Sequence, residues 1–132
     1  MLEGNRETVE KANALLAGGK QEEFLALCAE DVEWTLLSKA PSKMTGRDAI
    51  RKFMAATSKE GSEPPKFKVD EMIAHGEFVV AYGDMTMTTK EGETVKYVYF
   101  DIHRFEDGKI AELRTFVNKT QAETNKQSSA AA

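Results

Sequence analysis

Tyr99-Phe100-Asp101-Ile102-His103-Arg104-Phe105-Glu106-Asp107-Gly108-Lys109-Ile110-Ala111-Glu112 reads as two strands joined by a tight turn. Gly108 supplies the positive φ that such a turn needs, so its flanks are expected to pair as an antiparallel hairpin. With Glu106-Asp107-Gly108 as a three-residue turn, Phe105 pairs with Lys109 and Asp101 lies opposite Leu113. Side chains alternate across a strand. One face then carries Tyr97, Tyr99, Asp101, His103 and Phe105 beside Ala111, Leu113, Thr115 and Val117. The other carries Phe100, Ile102, Arg104, Ile110, Glu112, Arg114 and Phe116. A two-residue turn instead places Arg114 opposite Asp101, and a one-residue slip exchanges the faces.

Working outward, the period of two continues upstream. Residues 94–105 and 78–89 read as long strands, separated by a turn at Lys90-Glu91-Gly92-Glu93. Before the turn His75-Gly76-Glu77, residues 67–74 alternate as Phe67, Val69, Glu71 and Ile73 against Lys68, Asp70, Met72 and Ala74. The first half has helical spacing instead. Val9, Ala12, Leu15 and Leu16 form one stripe, ended by Gly18-Gly19. Phe24, Leu25, Leu27 and Cys28 form a second, and Ala49, Ile50, Phe53 and Met54 a third. Asp31 to Leu36 reads as a short strand, and 38–46 and 59–65 as loops. Helices followed by a strand meander give an α+β fold. The expected architecture is a cone-shaped, curved antiparallel sheet with the three N-terminal helices packed on its concave face. Apolar residues on both hairpin faces leave two covers for the convex side: a second subunit or the C-terminal tail.

The chain of 132 residues suits one domain, taken as residues 1–119 with a polar tail over 120–132. A net charge of −4 without a basic cluster argues against nucleic acid as a partner. No apolar run approaches the roughly 20 residues of a membrane span. The amino end carries no signal-peptide core, and the single cysteine, Cys28, has no internal disulfide partner. A cytoplasmic protein without a membrane partner is the expectation. Ser-His-Asp motifs, phosphate loops and dinucleotide fingerprints are missing, and two histidines, His75 and His103, make a poor metal set. No cofactor or metal is expected.

The hairpin segment resembles the penultimate hairpin of the SnoaL-like and ketosteroid-isomerase-like proteins of the nuclear transport factor 2-like superfamily. Their pattern there is an acidic residue, an Arg-aromatic pair two residues on, and a turn ending Gly-Lys/Arg-Ile. Ala17-Gly18-Gly19 followed by Phe24 to Trp34 is similar to that family's two-helix entry into the first strand, and Thr45-Gly46-Arg47-Asp48-Ala49-Ile50 to its third helix. The resemblance spans residues 5–119. It implies a cone-shaped α+β barrel with a deep pocket, commonly a homodimer through the sheet. It does not imply one reaction, because the superfamily hosts isomerases, cyclases, dehydratases and binding domains alike.

The resemblance places Asp101 where the isomerases keep a protonated Asp as a hydrogen-bond donor. Burial in an apolar pocket raises a carboxyl pKa, which suits an acid or a donor. His103 shares its face and is able to exchange a proton near neutral pH. Asp84, in the row Val80, Tyr82, Asp84 and Thr86, is expected to add a second pocket acid. Trp34, Tyr82, Tyr99, Leu113 and Thr115 complete the expected substrate wall. The other readings are an Asp101 paired structurally with His103 or Arg114, a core-lining histidine hydrogen-bonded to a tyrosine or a backbone group, and a strand-edge or bulge Asp84 facing water. The isomerase pattern also breaks here. Thr35-Leu36-Leu37 lacks the isomerase base, and Lys11-Ala12-Asn13 lacks the isomerase tyrosine, so the steroid isomerase reaction is not expected. Two functions follow: a cofactor-free isomerase, cyclase or dehydratase acting on a small apolar carbonyl compound, or a non-catalytic binding or dimerisation module.

Overall fold

The computed structural model describes residues 2–37, 41–57, 65–88 and 91–120. Helices α1 (Leu2–Ala17) and α2 (Gln21–Ala26) precede strands β1 (Cys28–Leu36) and β2 (Ser42–Thr45), then helix α3 (Arg47–Thr57). Strands β3 (Lys66–His75), β4 (Phe78–Thr88), β5 (Thr94–Glu106) and β6 (Lys109–Lys119) follow. The six strands form one curved, unclosed sheet in the order β2-β1-β6-β5-β4-β3. All neighbours are antiparallel except β1 and β6, which run parallel. The fold is the α+β cone that the sequence predicts, with that parallel joint added.

Helix α1 packs on β3 and β4, α3 packs on β1 and β2, and α2 bridges the two helices at β1. Their apolar stripes meet the inner face of the sheet. Val9, Ala12, Phe24, Leu25 and Ile50 pack with Val32, Val79, Ala81 and Leu113 in the buried core. Burying such side chains contributes roughly 1.5–3 kcal/mol each.

Several local expectations are corrected. Cys28 begins β1 rather than ending the helical stripe, and part of the 38–46 loop is strand β2, paired to β1 from Glu33↔Thr45 to Leu36↔Ser42. The hairpin turn has two central residues, not three. Asp107 (φ 52) and Gly108 (φ 79) both take positive φ, and Glu106 pairs with Lys109. That is the turn geometry whose twist matches the flanking strands. A bulge then absorbs one residue, because Phe105 pairs with Ile110 but Arg104 with Glu112. The bulge turns Ile110 into the core, although strict alternation puts it outside. Beyond it Asp101 faces Thr115, not Leu113 or Arg114, and His103 faces Leu113. The tail over 121–132 lies outside the described residues.

Candidate functional site

Three cross-strand rows build the inner face. The central one runs Leu36, Thr115, Asp101, Ala81, Met72 from β1 to β3. On one side of it lie Trp34, Leu113, His103, Val79 and Ala74, and on the other Val117, Tyr99, Gly83 and Val69. Asp101, His103, Tyr99, Leu113 and Thr115 are all buried on this face. Trp34 joins them half-buried, its ring 5.8 Å from Phe53 and 6.4 Å from Phe24.

Asp84 and Tyr82 are not part of this group. Both are exposed, and the inner row of β4 is Val79, Ala81, Gly83 and Met85. The row expected to line the pocket therefore faces the other way. Hydrophobic content misleads here because β4 has small residues inside and large ones outside. Arg114 is likewise exposed on the outer face, opposite Ile102. Arg104 sits on that outer face too, where Glu77, Glu106 and Glu112 surround it.

Asp101 is the chemically distinctive group. Thr115 hydrogen-bonds its carboxyl. The Trp34 indole Nε1–H in turn donates to Thr115 Oγ1 at 2.8 Å. An indole nitrogen only donates, so the Thr115 hydroxyl accepts there and has its own proton free for Asp101. The relay Trp34–Thr115–Asp101 fixes one side of the carboxyl. The other oxygen, Oδ1, is buried and has no hydrogen-bond partner among the described residues. Burial pushes the Asp101 carboxyl up from 3.8 to about 7, against the smaller opposing effect of the Thr115 bond.

His103 is arranged differently. Its Nδ1 lies 3.3 Å from the Val79 carbonyl, and the ring is only 2 % exposed. Burial pushes it down from 6.5 to about 4, so the ring is neutral at physiological pH with Nδ1–H donating to the carbonyl. This matches the bland reading of a core histidine bonded to backbone.

Tyr99 depends on a glycine. Its partner across β4 is Gly83, which has no side chain, and the tyrosine ring meets Phe67 of β3 at 5.3 Å in an edge-on contact. The β3 backbone closes over that glycine, where a Cβ would meet the Lys68 carbonyl oxygen at 2.0 Å. The Tyr99 hydroxyl is buried without a partner among the described residues, and burial, with the nearby acids Asp101, Asp70 and Asp84, raises it to about 12.

Sequence reasoning passed over Asn13. Its amide nitrogen Nδ2 is also buried and unpartnered among the described residues. The available signal was a polar residue one turn from Val9 and Leu16 on the apolar stripe of α1. Asn13 lines a groove of about 360 Å³ between α1 and β3, with Arg6, Glu10, Val69, Asp70, Glu71 and Met72. Met72 also ends the central row that contains Asp101.

Other reactive types are quiet. Burial pushes the Cys28 thiol up to about 11, and its Sγ faces the Phe24 carbonyl at 3.7 Å. Among the described residues, no group of three His, Cys, Asp or Glu is placed to hold a metal ion. Among the same residues, no helix is long and apolar enough to cross a membrane.

Residues 9–113 match the SnoaL-like domain. The chain belongs to the SnoaL-like family. Solved structures agree on the fold of this SnoaL-like chain. A candidate ketosteroid isomerase from Kribbella flavida is 23% identical with a TM-score of 0.73, over 90% of this chain and 81% of that one. A nuclear transport factor 2-like protein of unknown function from Burkholderia pseudomallei is 22% identical, with a TM-score of 0.75 over 93% and 95% of the two chains. TerC, crystallised with polyporic acid, is 20% identical, with a TM-score of 0.74 over 93% and 96%. Among curated proteins none matches the chain.

Proposed function

We propose that this SnoaL-like domain binds a small, flat, mostly apolar carbonyl compound on the inner face of its sheet and moves a proton there through Asp101. The reaction type is that of a cofactor-free isomerase, cyclase or dehydratase. One observation carries the reading: a buried carboxyl is held on one side by Thr115 and Trp34 while its Oδ1 has no partner among the described residues. A structural carboxyl has its oxygens satisfied, because an unmet buried acceptor costs roughly 1–3 kcal/mol. With its carboxyl raised to about 7, Asp101 populates both forms at neutral pH, so one group serves as acid and base. His103, neutral and tied to Val79, serves as wall rather than as proton donor. Asp84 takes no part, since it is exposed on the outer face. Polyporic acid in TerC supports a small organic ligand for this fold.

The test is a thermal-shift screen of planar phenols and ketones on wild type and Asp101→Leu. Wild type is expected to be stabilised by members of the set, with at least tenfold weaker binding in the variant. Equal shifts in both proteins would sink the reading.

We also infer that a second copy of the chain covers the outer face. Tyr82, Phe100 and Phe116 form an exposed cross-strand belt there, with the Tyr82 and Phe100 rings edge to face at 6.4 Å. A contiguous apolar patch on an isolated domain is unusual and marks an interface. Sedimentation velocity should find a dimer for wild type and a monomer for Phe100→Glu. A monomeric wild type at micromolar concentration would reject this arrangement.

A further inference from the structure

We propose that Asn13 is a specificity-determining residue: it donates to a second oxygen of the ligand, at the end remote from Asp101, with Tyr99 as its neighbour on the sheet. The inference rests on the Asp101 reading above and names the ligand class more narrowly, as a flat one- or two-ring molecule with oxygen functions at opposite ends.

Three buried polar atoms lack partners among the described residues: Asn13 Nδ2, Tyr99 Oη and Asp101 Oδ1. They come from two places in the sequence, helix α1 and the inner face of β5. Tyr99 and Asp101 are two residues apart on the inner face of β5. Asn13 comes down from α1, which packs on β3 and β4, and shares its groove with Met72. Met72 and Asp101 end a run of three strands with only Ala81 between them. Two strand spacings are about 10 Å. Across that span β4 offers only the methyl of Ala81, while the β3 backbone fills the inner side of Gly83.

The chemistry of the two ends differs. The Asn13 nitrogen and the Tyr99 hydroxyl are donors and call for a ligand oxygen with free lone pairs. Asp101 takes a carbonyl when protonated and a hydroxyl when ionised. The groove between α1 and β3 gives the route in, since Asn13 belongs to both groove and interior. Asp70, where β3 is bulged between Val69 and Glu71, stands on the groove wall close enough for its charge to act on the Tyr99 hydroxyl.

A structural polar residue and a ligand-binding one respond oppositely to removal. Taking away an unpartnered buried donor leaves the free protein equally or more stable, because its desolvation cost disappears. It weakens only a ligand that used it. The experiment is calorimetric titration of 2-naphthol and 2,6-dihydroxynaphthalene into wild type, Asn13→Leu, Tyr99→Phe and Asp101→Leu, with ligand-free thermal unfolding of each. Wild type should prefer the two-oxygen compound by about tenfold, as one further hydrogen bond supplies. Asn13→Leu should bind both compounds equally and unfold no earlier than wild type, and Tyr99→Phe should lose part of the preference. A preference kept in Asn13→Leu, or absent from wild type, overturns the inference while Asp101→Leu still tests the broader reading. Tyr99→Phe, isosteric but for the hydroxyl, keeps the test decisive if Asn13→Leu does not fold. If neither compound binds wild type, this inference falls, and the wider screen of phenols and ketones still decides the Asp101 reading.

Discussion

Asp101→Asn is expected to gain stability over wild type as pH rises from 4 to 7, by about 4 kcal/mol across the window. The folded carboxyl titrates at about 7 against an ordinary 3.8, so between those values the folded state holds a proton that the unfolded state has released. Stability from this group therefore falls as pH rises through the window and levels off above it. Each pKa unit is worth about 1.4 kcal/mol, and the gap is about three units. His103 works in the opposite direction. Its folded value of about 4 against 6.5 means that the unfolded chain takes up the extra proton between those limits, so its contribution rises with pH there. In wild type the two slopes nearly cancel from pH 4 to 6.5. Asp101→Asn should expose the rising histidine slope, and His103→Phe the falling carboxyl slope. Urea unfolding at half-unit steps measures this, and differences from wild type remove the contribution of the other carboxylates. Difference curves without slope in either variant would show that neither group is buried as described.

Gly83→Ala is the second large effect, with an expected loss of about 3 kcal/mol or more. A methyl carbon there would lie 2.0 Å from the Lys68 carbonyl oxygen and 2.8 Å from the Asp70 nitrogen, both backbone atoms of β3. No side-chain rotation relieves such a contact, so β3 must leave β4 around its bulge. The same methyl disturbs the place over which Tyr99 reaches Phe67. The variant should therefore lose ligand affinity along with stability. Denaturant unfolding decides it: a change under about 1 kcal/mol would mean that the two strands are farther apart than described.

The legible and illegible parts of this chain divide on physical grounds. Helical stripes were readable because polar and apolar residues there segregate by face, and the β5–β6 faces because the turn glycine and the family-like hairpin pattern set their phase. Asp101, His103, Tyr99, Leu113 and Thr115 thus fell on one face although the turn length was misjudged. The extra residue at Ala111 compensated for the shorter turn and restored the phase beyond it. On β4 the phase was not readable. Tyr82 outweighs Ala81 and Gly83 in hydrophobicity, yet the small residues are the buried ones. Alternation reports burial only where the far face is polar, and here the far face carries an aromatic belt. The bulge at Asp70 leaves no mark in composition, and so Ile73 was aligned with Phe67 although it pairs with Val80 on the outer face. Asn13 entered only as a place where the isomerase tyrosine is lacking, because an amide on an apolar stripe has no evident role until its surroundings are known.

The parallel joint between β1 and β6 has a consequence for the order in which the molecule is made. Hairpins β3–β4, β4–β5 and β5–β6 link neighbours in sequence, but β1 reaches the large sheet only through β6, and the Trp34–Thr115 hydrogen bond spans 81 residues. Closing a loop of that size carries an entropic cost before its contacts form, which slows the step. On the ribosome, β1 has no place in the main sheet until β6 has emerged. The hydroxyl that steadies Asp101 thus meets its indole only once β6 has been made, and earlier intermediates have the carboxyl without its relay.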